Sequence, residues 1–123
     1  MNRDMDVVRR IVLGVRDTSD GSLTGLGDVP EDVFNYHAQL VIEAGLVHGL
    51  VIGTLDDNYG IPGAVVLQRL TWEGHDFADS ITDDTVWKAA KEKVLKPSAS
   101  WTFAILKEWI KFEIKRRIGM DGS

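Results

Sequence analysis

Two short segments do most to limit what this chain can fold into. The first, Tyr36-His37-Ala38-Gln39-Leu40-Val41-Ile42-Glu43-Ala44-Gly45-Leu46, reads as a helix that stops at a glycine and passes straight into a strand. The second, Arg69-Leu70-Thr71-Trp72-Glu73-Gly74-His75, reads as a strand that ends on a threonine N-cap and passes straight into a helix. Helix, strand, turn, strand, helix at this spacing is the core of a winged helix-turn-helix domain. The pair limits the fold and not the activity, because a winged helix can bind DNA, bind protein or only dimerise.

The flanking sequence fills in the rest. Met5, Val8, Ile11, Val12 and Val15 recur at spacings of three and four and predict a first helix over 4–16, with Arg9, Arg10 and Arg16 off the stripe. Residues 17–28 are rich in Gly, Asp, Ser and Thr and predict a loop, with Leu23 in a short strand. A full helix-turn-helix would place a helix there, so that helix is shortened or lost. Asp28-Val29-Pro30-Glu31 predicts the start of the second helix, with Asp28 as its cap and Gly45 as its stop. Strands are predicted over 46–54 and 64–70, joined by a turn near Asp57 to Gly60 that forms the wing. Thr71 caps a helix to about Ile81, a further helix runs from near Asp84 to Leu95, and Lys96-Pro97-Ser98 breaks it. The last helix spans about 100–118. The fold class is therefore α+β, mostly α, with a winged-helix domain over 1–83. A two-helix C-terminal extension over 84–123 packs on it.

Charge is distributed unevenly. Residues 1–85 hold 5 Lys+Arg against 15 Asp+Glu, a net of −10, and residues 86–123 hold 9 against 4, a net of +5. An acidic body with a basic tail is an asymmetry that can mark an interaction surface, or the tail can fold back on the body. Cysteine is absent, which removes thiolate metal sites and cysteine nucleophiles and suits a reducing compartment. The charged start, Met1-Asn2-Arg3-Asp4-Met5-Asp6, does not suit a signal peptide, and no apolar run is long enough to span a bilayer. The expectation is a soluble cytoplasmic protein.

The motif residues resemble an uncharacterised family of small proteins from phages, prophages and bacteria. Its members open with a Met-x-Arg-Asp-Met-Asp-like start and continue with Tyr-His-x-x-Leu-x-x-Glu-Ala-Gly-Leu, Arg-Leu-Thr-Trp-x-Gly-His-Asp-Phe and Asp-Asp-Thr-Val-Trp. The matching positions here are Arg3 to Asp6, Tyr36 to Leu46, Arg69 to Phe77 and Asp83 to Trp87. The resemblance implies a winged-helix fold in a mobile-element setting and brings no activity with it.

The second helix stands where a recognition helix would. On a 100° wheel its inner face is Val33, His37, Leu40, Val41 and Ala44, and its outer face is Glu31, Asp32, Asn35, Ala38, Gln39, Ile42 and Glu43. Asn35 and Gln39 are the residue types that read adenine edges. The face nevertheless carries three acids and no lysine or arginine, and phosphate neutralisation is the main source of DNA affinity. Glu31, Asp32, Asn35, Gln39, Ile42 and Glu43 are therefore the candidate partner-binding residues, for a protein with a basic patch such as a nucleic-acid-binding host protein. An acidic helix of this kind can act as a DNA mimic. The bland alternative is a solvated helix face. In the runner-up reading, a DNA-binding transcription regulator, Asn35 and Gln39 contact bases while Lys107, Lys111, Lys115 and Arg116 contact phosphates.

No nucleophile motif, phosphate loop or dinucleotide fingerprint appears, so no enzyme and no cofactor is expected. His37, His48 and His75 lack metal-ligand spacing, and Asp56-Asp57-Asn58-Tyr59-Gly60 lacks the ligand series of a calcium loop, so no metal is expected. In the last helix Trp101, Phe103, Ile105, Leu106, Trp109, Ile110, Phe112 and Ile114 cover more than half of the wheel. Part of that surface is expected to pack on the first helix. Trp101, Leu106 and Trp109 are the candidate seam of a homodimer, unless a monomer buries all of it. A membrane surface is disfavoured, because an acidic body opposes anionic lipid.

Overall fold

A computed structural model describes residues 1–18, 21–53, 62–96 and 100–121. The described elements run α1 (Met5–Asp17), α2 (Glu31–Glu43), β1 (Val47–Ile52), β2 (Ala64–Leu70), α3 (Trp72–Ser80), α4 (Asp84–Lys93) and α5 (Phe103–Asp121). The fold is α+β and mostly helical, with β1 and β2 paired antiparallel. The chain divides into two compact units, Met1–Ala78 and Asp79–Ser123, a few residues ahead of the boundary expected at 83/84. The expected turn near Asp57 to Gly60 and the break at Pro97-Ser98 lie outside the described residues. No described helix is long and apolar enough to cross a membrane.

In the first unit α1 buries Met5, Val8, Ile11, Val12 and Val15, the five residues of the predicted stripe. Asp4 caps it, its carboxylate accepting from the N–H groups of Asp6 (2.9 Å) and Val7 (3.4 Å). No helix occupies the described part of the following loop. Leu23 instead forms a two-bond bridge to β2, its N–H donating to the Leu67 carbonyl (2.9 Å) and its carbonyl accepting from the Leu67 N–H (3.0 Å). Gly14 leaves room for it, since an added Cβ would stand 3.2 Å from Leu23 Cδ2. α1 packs on α2 and β2, and α2 packs on both strands.

Asp28 does not cap α2. The helix starts after Pro30 with no side-chain cap, and the Asp28 carboxylate takes both arms of the Arg10 guanidinium, at 3.0 and 2.5 Å. The hydrogen bonds from Arg10 hold the Asp28 carboxyl below its ordinary pKa and raise that of Arg10. The other end of α2 follows expectation. Gly45 adopts φ +77°, its N–H donates to Ile42 O (3.0 Å), and the Leu46 N–H reaches back to Val41 O (3.0 Å). This is a Schellman closure with an apolar residue directly after the glycine.

The hairpin pairs Val47 with Leu70 and Ile52 with Ala64, with an irregularity between His48 and Gly49. Val47, Val65, Leu67 and Leu70 point into the core. Gly49 has no room for a side chain, because a Cβ would lie 2.6 Å from Val66 O and 3.0 Å from Ile42 Cδ1.

In the second unit Asp83 caps α4, accepting from Thr85 N–H (2.8 Å), Thr85 Oγ1 (2.5 Å) and Val86 N–H (3.1 Å). α4 packs on α5. The inner side of α5 is Leu106, Ile110 and Glu113. Glu113 is held by Arg116 and by Arg117, whose Nη1 also donates to Thr85 Oγ1 (2.8 Å) and so ties α5 to the first turn of α4.

Candidate interaction surface

The two defining segments meet at one junction. The Thr71 N–H donates to Leu46 O (2.9 Å), and the Thr71 hydroxyl donates to Gly45 O (2.6 Å) while accepting from the Gly74 N–H (2.9 Å). A single threonine thus caps α3 and satisfies a carbonyl at the end of α2. Gly74 completes the closure. A Cβ there would fall 1.9 Å from Leu46 O, so any side chain would displace backbone. A second lock joins the N-terminal segment to α2. The buried His37 ring is donor to Val33 O through Nδ1 (2.8 Å) and acceptor from the Asp4 N–H through Nε2 (2.8 Å). That pair of partners requires the tautomer protonated at Nδ1.

Asp4, His37, Gly45, Leu46, Leu70, Thr71, Gly74 and Phe77 close the first unit. Trp72 stands apart. It is 84 % exposed, one residue after the threonine that locks the junction. Glu73, His75 and Asp76 beside it on α3 are exposed as well, and so is Glu43 on the α2 side of the same junction. His48 and Arg69 form an exposed cross-strand pair on the outer face of the hairpin.

The sequence-predicted partner residues divide accordingly. Glu31, Asp32 and Glu43 are exposed, and Gln39 and Ile42 are half-buried, with Ile42 packed over Gly49. Asn35 is a correction. It is only 4 % exposed, and its Nδ2 donates to Gly63 O (3.3 Å) across the hairpin. It is therefore committed to the fold and cannot present its amide to a base or a partner. Ala38 is likewise buried, whereas Leu40 is half-buried and Ala44 exposed. The inner face of α2 is rotated from the wheel toward Phe34, Asn35, Ala38 and Val41, because the helix packs on α1 and on the sheet at once.

In α5, Leu106 is a second correction. It is 0 % exposed and cannot belong to a seam between molecules, while Trp101 and Trp109 are half-buried. Lys107, Lys111, Lys115 and Arg116 are exposed, but three have local partners. Lys107 sits over the Phe103 ring (4.9 Å), Lys111 lies 3.7 Å from Glu108, and Arg116 pairs with Glu113.

Residues 2–100 match the model of the family described as "Hypothetical protein (DUF2513)". The chain belongs to the DUF2513 family. It is also similar to an uncharacterized protein of Haemophilus influenzae, with 29 % identity over 112 residues that cover 88 % of this chain and 91 % of the relative. No solved structure matches it. The DUF2513 match contains both locks and Trp72, and it ends before α5 begins at Phe103. Trp72 was visible in the sequence only as a motif letter.

Proposed function

We propose that this protein is a non-enzymatic interaction module of winged-helix type that binds a protein partner through the acidic surface of its first unit. The carrying observation is Trp72, a large aromatic side chain held almost fully in solvent at a rigid junction. Exposed tryptophans of this kind are the commonest anchors of protein interfaces. Glu73 and Asp76 are exposed on the same helix, Glu43 is exposed at the end of α2, and Glu31 and Asp32 are exposed at its start. The complementary partner carries a basic patch and a pocket for an indole. A nucleic-acid-binding protein of the host is the class that fits, with this surface acting as a DNA mimic in the mobile-element setting that the sequence resemblance suggests. The winged-helix reading is supported by α2 running directly into β1 and by the β1–β2 hairpin, to which Leu23 adds a further bridged position.

The test is capture of partners from host lysate with nuclease present, comparing the wild type with Trp72→Ala and with Asp32→Lys combined with Glu43→Lys. All of these side chains are exposed, so each variant should melt within about 0.5 kcal/mol of the wild type. Trp72→Ala should lose the partner through faster dissociation, and the charge reversal should slow association. A partner retained equally by both variants would overturn the proposal. Sub-micromolar, steeply salt-dependent binding of duplex DNA would overturn it in favour of a transcription regulator.

A further inference from the structure

We propose that α5 is a homodimerisation helix that pairs antiparallel with α5 of a second copy, in a register set by Glu108 and Lys115. The proposal stands independently of the acidic surface of the first unit. α5 carries two apolar stripes. One, Leu106 and Ile110, is spent on the inner side of its own unit. The other runs through Ile105, Trp109 and Phe112 and continues along the stem of Arg116, a four-three-four spacing that is the repeat of a helix–helix seam. Ile105 is 51 % and Phe112 65 % exposed, and Ala104, Ile105, Glu108, Trp109 and Phe112 line one shallow, almost wholly apolar recess.

Charge selects the occupant and its direction. If Ile105 and Phe112 are the d positions and Trp109 and Arg116 the a positions of a heptad, Glu108 and Lys115 both occupy g. The e positions are Leu106 and Glu113, which are buried within the unit. A parallel pair needs contacts from g to e, and among the described side chains no exposed e residue is there to make them. An antiparallel pair brings g against g. With Trp109 layered on the partner's Phe112 and Ile105 on the stem of the partner's Arg116, the same register sets Glu108 against the partner's Lys115. The two-fold axis repeats the pair. One strip of surface is thus complementary to itself in one direction only. Within one chain Glu108 reaches Lys111 at 3.7 Å, an exposed pair easily exchanged for the intermolecular one.

The experiment is sedimentation equilibrium of the full chain over a concentration series, with far-UV circular dichroism to verify folding. The wild type should approach about 27 kDa, twice the 13.7 kDa chain. Phe112→Asp should remain folded and monomeric. Glu108→Lys and Lys115→Glu should each raise the dimer Kd by about tenfold, because each sets like charges against one another twice. The double variant Glu108→Lys/Lys115→Glu should recover wild-type association. Mixing the two single variants should give a heterodimer tighter than either homodimer. A wild type that stays monomeric at the highest concentration overturns the proposal, including one that instead binds anionic vesicles. A dimer indifferent to all the charge variants overturns the antiparallel register.

Discussion

Gly74 and Gly119 both lie in helices, one in each unit, and a methyl group added to each would meet opposite surroundings. At Gly74 it would meet the Leu46 carbonyl oxygen at 1.9 Å and the carbonyl carbon at 2.9 Å, while at Gly119 nothing lies within 4 Å. The first unit is closed by backbone approaching backbone. Its decisive contacts use Leu46 O, Gly45 O and the Asp4 N–H, main-chain groups that any residue but proline supplies, and the sequence controls them by what it omits or by a single hydroxyl or ring. The second unit is joined by side chains, through Leu106 and Ile110 and through the Glu113–Arg117–Thr85 chain. Backbone closure tolerates almost no substitution at the junction itself, although the same unit exposes Leu50, Val51, Ile52 and Trp72. Side-chain closure tolerates more and leaves an apolar stripe uncommitted on α5. The contrast explains why the recognisable motif letters concentrate in the first unit.

The sharpest way to break this comparison is Gly74→Ala. The added carbon overlaps a backbone oxygen that is itself bonded to the Thr71 N–H, so relief in one place opens the junction in another. We expect a loss of about 3 kcal/mol or more, at the upper end of overpacking effects. Calorimetry showing a loss below about 1 kcal/mol would mean that the junction yields, and the distinction between the units would not stand.

Thr71→Val comes next. Valine keeps the shape and removes both the cap and the donor to Gly45 O, which should cost about 1–2 kcal/mol. Thr71→Ser should restore most of it. Urea titration reads both, and an unchanged slope would show that the loss is in the native contacts. If serine fails to rescue, packing of the methyl group rather than the two hydrogen bonds carries the junction.

How much of this was legible follows from the range of each interaction. The α1 stripe, the Gly45 stop and the Thr71 cap are local patterns, set by neighbours within five residues, and each stands where the sequence puts it. Asn35 was misplaced because its partner, Gly63 O, is 28 residues away and no local pattern announces a backbone acceptor. Asp28 was misplaced for the same reason, its Arg10 partner lying 18 residues upstream. The rotation of α2 was hidden because apolar residues at Val33, Phe34, Leu40, Val41 and Ile42 leave the wheel without one centre. Leu106 was assigned outward because α5 is apolar nearly all round, so periodicity cannot say which stripe meets α4.

Gly119→Ala is the opposite arm of the first test. With open space around it and a helical backbone, the alanine should stabilise the second unit by about 0.5 kcal/mol, less than the full glycine penalty because the site is near a helix end. A loss on thermal melting would reveal a contact at the end of α5 and weaken the view of that unit as tolerant.

The smallest expected effect separates the two units by their acid response. Asp83 in the second unit and Asp28 in the first both have pKa values held below 3.8, Asp83 first by its bond from the Thr85 hydroxyl and Asp28 first by its bond from Arg10. A carboxylate whose folded pKa lies below its unfolded one adds stability above the unfolded value and loses it as pH falls through the folded value. Both contributions should therefore be complete at neutral pH, begin to shrink near pH 3.8, and vanish at lower pH once each group is protonated in the fold. Asp83→Asn keeps a good capping side chain and removes only the charge. Its melting temperature should lie slightly below the wild type at neutral pH and converge with it in acid. Asp28→Asn should behave likewise with one difference. Its partner is a guanidinium in solvent, so moderate salt should erase the gap, whereas the cap of Asp83 on neutral donors should keep its gap in salt. Equal salt sensitivity at the two sites would show that the Arg117 charge, and not the Thr85 hydroxyl, governs Asp83, and the second unit would then depend on charge as much as the exposed pair in the first.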